Sequence, residues 1–269
     1  MTVDLIALDL DDTLLREDLS VSGGNREALA KAEERGIRIV LASGRNIHSM
    51  RHYASLLGLD GPGDFLICSN GAEIIASGSG ELLDQRRLPP ELCREIAAAI
   101  EARGFPWQVY DGGAIHVNRP NPWADRDSRL TGQPTIRIED EEALFARGQV
   151  KFVIPGDPAS ISTLLAELGP LFEGRAEVFT SKPYFLEILS RGADKGAALQ
   201  RLAGMLQIPM ERVMAIGDAM NDFGMIKAAG WGCAPLNALP EIKAVARLVS
   251  GKSNEEDAVA DLIGRVALA

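Results

Sequence analysis

Four short apolar runs, each stopping at a cluster of polar residues, constrain the fold of this chain more than any other feature. Residues 5–8 end at Asp9, 37–42 at Ser43-Gly44-Arg45, 65–68 at Ser69-Asn70-Gly71, and 213–216 at Gly217-Asp218. A run that is apolar at nearly every position suits a strand buried on both faces of a parallel sheet. The segments between them have helical composition: residues 25–35 are rich in Ala, Glu and Lys and are closed by Gly36, and residues 46–57 are closed by Gly58. Further helices are predicted over 195–206, 222–229, 239–246 and 255–266. Strand alternating with helix predicts an α/β fold, a doubly wound parallel sheet of the Rossmann-like kind. Ligands of such sheets bind beyond the carboxyl ends of the strands, and all four polar clusters fall there.

The middle of the chain reads differently. Strand-like segments at 107–110, 114–117, 135–138, 150–154 and 176–180 are short and grouped, with one helical stretch at 159–168 and a Pro, Asn, Trp, Asp and Arg segment at 119–129. That pattern predicts an antiparallel sheet with helices on one face. With 269 residues, more than one domain usually holds, the expected division is a core of residues 1–82 and 188–269 with an inserted α+β domain over 83–187.

Charge and cysteine content narrow the partners. A net charge of −10 argues against nucleic acid or an anionic membrane surface. No stretch is long and charge-free enough to span a bilayer, and the opening Met1-Thr2-Val3-Asp4 lacks the basic segment of a signal peptide. Cys68, Cys93 and Cys233 are scattered, with no Cys-x-x-Cys, so neither a disulfide framework nor a zinc site is expected and a reducing cytoplasm fits.

The cluster after the first run, Asp9-Leu10-Asp11-Asp12-Thr13, places carboxylates where a strand ends, although aspartate is depleted in strands. If Leu10 points inward, Asp9 and Asp11 face the same side, and their repulsion calls for a cation or a shared proton. Read in order with Ser43-Gly44-Arg45, with Lys195 in Ala193-Asp194-Lys195-Gly196, and with Gly217-Asp218-Ala219-Met220-Asn221-Asp222, this segment resembles the haloacid dehalogenase superfamily, specifically its Cof-type phosphatases with a large inserted cap. Ser69-Asn70-Gly71-Ala72, the segment 183–188 and the closing Ser253-Asn254-Glu255-Glu256-Asp257 extend the match over the whole chain. Three positions depart from it: Asp12 stands where many relatives carry Gly, Pro235-Leu236 precedes Asn237 without the usual glycine, and Ala258 replaces a Gly.

The resemblance implies a phosphoric monoester hydrolase acting on small phosphorylated metabolites, sugar phosphates first, through an aspartyl-phosphate and with Mg²⁺. The residue types suit that chemistry. Asp9 is the expected nucleophile and Asp11 the general acid that protonates the leaving oxygen and later takes a proton from water. Lys195, the Ser43 hydroxyl and Mg²⁺ would stabilise the transferring phosphoryl group. Asp9, the backbone carbonyl of Asp11 and Asp218 are the expected metal ligands, with Asn221 and Asp222 behind them positioning Lys195 and metal-bound water. Substrate contacts are expected from Leu10 (through its amide), Gly44, Arg45, Asn70, Gly71 and Asn221. Arg45 is equally readable as one half of a salt bridge, and Asn70-Gly71 as a plain turn. The insert is expected to set specificity by closing over the cleft, with Arg119, Asn121 and Trp123 as candidates. His48, His52 and His116 lack a nucleophile motif and read as structural.

Three alternatives share these residue types. A receiver-like signalling domain would need its phosphoaccepting Asp after the third strand, where Ser69-Asn70 stands. A non-catalytic phosphometabolite sensor would have no need of the acid Asp11. A phosphotransferase or phosphomutase remains open on the same scaffold.

Overall fold

The computed structural model describes residues 2–269; Met1, at the head of the expected core segment, lies outside them. The chain divides into two units, one made of the stretch up to Asp84 together with Asp194–Ala269, the other of Gln85–Ala193.

The first unit opens with β1 (Leu5–Leu8), α1 (Gly23–Glu34), β2 (Arg38–Ala42), α2 (Ile47–Leu57), β3 (Phe65–Cys68), β4 (Glu73–Ala76) and β5 (Leu82–Gln85). Then follow the second unit's α3 (Pro90–Glu101), β6 (Gln108–Asp111), β7 (Ala114–Val117), α4 (Pro122–Thr131), β8 (Thr135–Arg137), α5 (Glu141–Phe145), β9 (Lys151–Pro155), α6 (Pro158–Phe172), β10 (Ala176–Lys182) and β11 (Phe185–Ser190). The chain returns to the first unit with α7 (Lys195–Met205), β12 (Val213–Ile216), α8 (Phe223–Ala228), β13 (Trp231–Ala234), α9 (Pro240–Val245), β14 (Leu248–Val249) and α10 (Ala258–Val266).

The first unit's sheet runs β14-β13-β12-β1-β2-β3-β4-β5. From β14 to β3 every pair is parallel, and β4 turns back antiparallel on β3. β1 is central, and its side chains divide between two hydrophobic layers. Ile6 and Leu8 join Leu29, Met50, Ala54, Leu262 and Ile263 of α1, α2 and α10. Leu5 and Ala7 join Leu199, Leu202, Met225, Ile226 and Ile242 of α7, α8 and α9. This is the doubly wound arrangement expected from the continuous apolar runs. Each buried Leu or Ile contributes about 1.5–3 kcal/mol, and this two-sided burial holds β1 rigid up to Asp9.

The second unit's sheet runs β10-β11-β9-β6-β7-β8. Three features of strand pairing and element extent differ from expectation, and a fourth is that helices lie on both faces of the sheet rather than on one. First, β11 pairs with β9 and β10, so the second unit extends to Ala193 rather than ending at 187. Second, β7 and β8 are parallel, which makes the sheet mixed. Third, residues 119–129 are not an irregular stretch: they contain most of α4, whose Asn121 side chain caps it by accepting from the Ala124 amide at 2.9 Å. One face of this sheet presents Val109, Phe152, Ile154, Leu186 and Ile188 to α3 and α6. The other presents Ile115 and Val117 to Ala124 of α4, so helices lie on both faces. On that second face Lys151 and Glu187 form a buried ion pair at 3.1 Å, beside a network in which Gln108 and Tyr110 both donate to Asp127.

Candidate active site

β1 ends at Leu8; Asp9 keeps an extended backbone with φ −70° and ψ 158°, and a tight turn begins at Leu10, closed by the Leu15 amide on the Leu10 carbonyl at 2.8 Å. The Asp9 amide donates to the Ile216 carbonyl of β12 at 3.0 Å, which carries the β1–β12 pairing one residue past the strand. Within the turn Asp12 holds φ 59°, the left-handed region where Gly is free and Asp is among the better tolerated side chains.

Asp9 is 4% exposed and meets the fully buried Lys195, whose Nζ lies 2.5 Å from Asp9 Oδ1 and 2.5 Å from Asp222 Oδ1. Lys195 stands at the first position of α7, whose end is capped by the Asp194 side chain on the Ala197 amide. Asp222 is tied down further: its Oδ2 accepts from the amides of Asp218 and Ala219 at 3.0 and 3.1 Å. This close approach requires Gly217, where a Cβ would stand 2.5 Å from the Asp222 side chain. Asp218 accepts from the Thr13 hydroxyl at 2.8 Å. Oxygens of Asp9, Asp218 and Asp222 all lie within 4.8 Å of one another.

Three carboxylates around one ammonium leave an excess of negative charge away from water. Burial, and next the Asp222 charge, push the Asp9 carboxyl well above its ordinary range. The same two causes push Asp218 up to about 7. Burial opposes the charge on Lys195, but Asp222 and Asp9 outweigh it and hold the ammonium protonated. A divalent cation would relieve this repulsion. The residues fit one: Asp9 and Asp218 each retain a carboxylate oxygen that accepts nothing among the described residues, and the donors are all oxygens, as Mg²⁺ prefers.

Other expected site residues cluster nearby, with different partners. The Asp11 carboxylate stands outside the acidic trio, on Arg45, which binds it with two N–H groups at 2.9 and 2.6 Å. The repulsion expected between Asp9 and Asp11 persists as a minor cause of the raised Asp9 carboxyl, while Arg45 gives Asp11 a cation. Ser43 is 1% exposed, with its Oγ accepting from the Arg45 amide at 3.2 Å. Asn221 donates to Asn70 Oδ1 at 3.1 Å, rather than to the Lys195 environment expected for it. The Leu10 side chain is buried, which leaves its backbone for any substrate contact. Gly44 packs on the Asn70 side chain, at 3.0 Å from where a Cβ would be.

The loop after β3 is unusual: Ser69, Asn70 and Gly71 have φ of 52°, 55° and 90° in succession. A Cβ at Gly71 would fall 2.2 Å from the Asp194 carbonyl, so only glycine lets this loop meet the start of α7. Hydrogen bonds hold it there: Ser69 N–H donates to the Arg45 carbonyl, Asn70 N–H to the Ser43 carbonyl, and Arg201 to the Gly71 carbonyl at 3.1 Å.

Several contributors were not singled out from sequence. Thr13 was visible as the end of the Asp9–Thr13 segment, but its partner Asp218 is 205 residues away. Asn237 donates to the Asp12 carbonyl at 2.7 Å and accepts from the Asn254 amide, and Asn254 donates to the Leu15 carbonyl at 2.9 Å. These two asparagines clamp the turn after Asp9 from the far end of the sequence. Asn254 lay in the closing motif; Arg201 carried no signal. In the second unit, Trp107 is fully buried, and Trp123 stacks on Tyr184 with ring centroids 4.8 Å apart. Arg119 is bound to the Gly104 carbonyl.

A family model for haloacid dehalogenase-like hydrolases matches residues 6–263. This chain belongs to that family, and within it to the Cof-type phosphatases: it is an enzyme, a phosphoric monoester hydrolase. Among its relatives, phosphatase YwpJ of Bacillus subtilis is 30% identical, with 96% of this chain and 98% of that protein covered. An HMP-PP phosphatase of Yersinia pseudotuberculosis is 31% identical over 89% of this chain and 86% of its own. A crystal structure of a haloacid dehalogenase-like hydrolase from Bacteroides thetaiotaomicron superposes with a TM-score of 0.88, is 34% identical, and covers 98% of this chain and 99% of its own.

Proposed function

We propose that this enzyme is a Mg²⁺-dependent phosphatase of small phosphorylated metabolites, working through a phosphorylated Asp9. The observation that carries this reading is the buried contact of Lys195 with Asp9 inside an acidic trio with charge to spare. In the first half-reaction an Asp9 oxygen attacks phosphorus as the bond to the leaving oxygen breaks, and Asp11 gives that oxygen its proton. In the second, Asp11 takes a proton from the water that attacks the aspartyl-phosphate, and Asp9 is freed. Lys195, fixed by Asp222, places its charge where the equatorial phosphoryl oxygens develop theirs, and the Ser43 hydroxyl with the Leu10 and Gly44 amides supply neutral donors. Mg²⁺, held by Asp9, Asp218 and the Asp11 carbonyl, would supply neutralising charge to both phosphate and protein. The inserted unit is the proposed source of specificity. Of its three candidates Trp123 remains the strongest, because Asn121 is engaged as a helix cap and Arg119 on a backbone carbonyl. The three cysteines, all free and buried, accord with a reducing cytoplasmic setting.

Sugar phosphates head the substrate class, and HMP-PP, named for the Yersinia relative, is a second candidate. The test is a phosphate-release screen over sugar phosphates, nucleotides, pyridoxal phosphate, flavin mononucleotide and HMP-PP, with Mg²⁺ or with EDTA. Added alcohols serve as acceptors to distinguish transfer from hydrolysis. Release that depends on Mg²⁺ and a trapped phosphoenzyme are expected; full activity in excess EDTA with no retained metal would overturn the mechanism.

A further inference from the structure

The loop after β3 is held against its own backbone preference. Ser69 and Asn70 take φ of 52° and 55°, the left-handed region that is costly for any residue but glycine, and such a run persists only where its surroundings impose it. The loop in turn holds the turn after β2. The Asn70 amide donates to the Ser43 carbonyl at 3.0 Å and the Ser69 amide to the Arg45 carbonyl at 2.9 Å. The Asn70 side chain packs on Gly44 between them. The Ser43 hydroxyl and the Gly44 amide are therefore only as well placed as this loop is.

Arg201 reaches the loop from α7, the helix that Lys195 opens. Its Nη2 donates to the Gly71 carbonyl at 3.1 Å and its Nε to Asp84 Oδ2 at 2.8 Å. Asp84 lies on β5, the strand on which the chain passes from the first unit to the second. The carboxylate on one nitrogen fixes the plane of the guanidinium and so aims another N–H at the carbonyl, a division of labour that a lysine ammonium does not reproduce. The arginine side chain is 22% exposed, so water competes little for either contact.

We infer that Arg201 is a positioning residue for phosphate recognition: by holding the Gly71 carbonyl it keeps the loop in its left-handed form, and the loop keeps Ser43 and Gly44 in place. The inference rests on the proposed role of the Ser43 hydroxyl as a donor to the phosphoryl group. It has a distinctive consequence. An effect routed through Ser43 disappears once that hydroxyl is gone, whereas an effect on general stability does not depend on it.

The test is a double-mutant cycle read as kcat/KM per folded molecule on p-nitrophenyl phosphate with Mg²⁺. Ser43→Ala should lose about 10²-fold, as removal of a preorganised donor does. Arg201→Ala should lose about 10-fold, because a displaced group costs less than a missing one. The double variant should then stay within about three-fold of Ser43→Ala alone. Arg201→Lys keeps a cation beside Asp84 without the fork, so it should show the same coupling at smaller size, and it carries the cycle if the alanine variant does not fold. Losses that multiply to about 10³-fold in the double variant would overturn the assignment. So would an Arg201→Ala enzyme that melts lower yet keeps the wild-type kcat/KM per folded molecule. A Ser43→Ala enzyme with unchanged kcat/KM fails at the earlier step: the donor role of Ser43 falls, and the inference with it.

Discussion

The two units each bury a lysine against carboxylates, with opposite charge accounts. In the inserted unit Lys151 meets Glu187 at 3.1 Å and lies over the Tyr110 ring, so each charge of the pair faces an opposite one. In the core Lys195 is shared between Asp9 and Asp222 while Asp218 completes the cluster, three anions against one cation. A balanced pair can organise a fold by itself, because each charge compensates the desolvation of the other. The unbalanced cluster compensates only in part, and the remainder appears as raised carboxyl pKa values at Asp9 and Asp218. Burial alone thus does not distinguish structural from catalytic charge. Imbalance does.

Three experiments would break or sharpen this contrast. The largest effect is expected from Asp9→Asn, which should lower turnover by roughly 10⁴-fold or more and leave no phosphoenzyme, while thermal unfolding without metal stays at or above the wild-type temperature. The substitution removes a surplus charge and leaves Lys195 its Asp222 partner. A large loss of stability in this variant would erase the distinction between the two lysines. Next, Glu187→Ala should cost about 3–5 kcal/mol in urea unfolding, because it breaks the buried 3.1 Å ion pair with Lys151, and turnover per folded molecule should change far less than with Asp9→Asn. A cost below about 1 kcal/mol would mean that the pair is not structural.

The smallest effect is expected from pH in the chelated enzyme. A folded Asp218 carboxyl raised to about 7 binds protons at pH 5–7 that the unfolded chain has already released, so this group makes stability rise as pH falls through that window. The slope is at most about 1.4 kcal/mol per pH unit for one proton. Mg²⁺ should flatten it, and Asp218→Asn should reduce the slope, leaving the part that the raised Asp9 carboxyl contributes in the same direction. A metal-free enzyme that instead loses stability from pH 7 to pH 5, with Asp218→Asn behaving identically, would contradict the imbalance.

How much of this was legible in the chain depended on burial. The strands β1, β3 and β12 start and end where their apolar runs do, because burial on both faces leaves no polar position to blur the ends. β13, with Gly232 and Cys233 in a Trp-Gly-Cys-Ala segment, and the two-residue β14 carry too little apolar signal to stand out. α4 hid behind Pro122, which opens a helix as readily as it punctuates a loop. α3 shows Leu92, Cys93, Ile96, Ala97 and Ile100 on one face, a helical spacing that Pro89-Pro90 masks. For the site, motif order located the carboxylates and Lys195, because each occupies the end of an element. It could not tell that Asp11 turns to Arg45 or that Asn221 turns to Asn70, since side-chain direction past a strand end is set by turn geometry and tertiary partners.

The asparagine clamp on the turn after Asp9 has a consequence in time. Asp12 and Leu15 emerge early in synthesis, but the side chains that hold their carbonyls belong to Asn237 and Asn254. At roughly 5–20 residues per second, that leaves on the order of tens of seconds in which the turn exists without its clamp and Asp9 without Lys195. A ribosome carrying the first two hundred residues therefore bears Asp9, the proposed nucleophile, in an unfinished setting. Catalytic competence is the last property the growing polypeptide acquires, well after its first strand has been made.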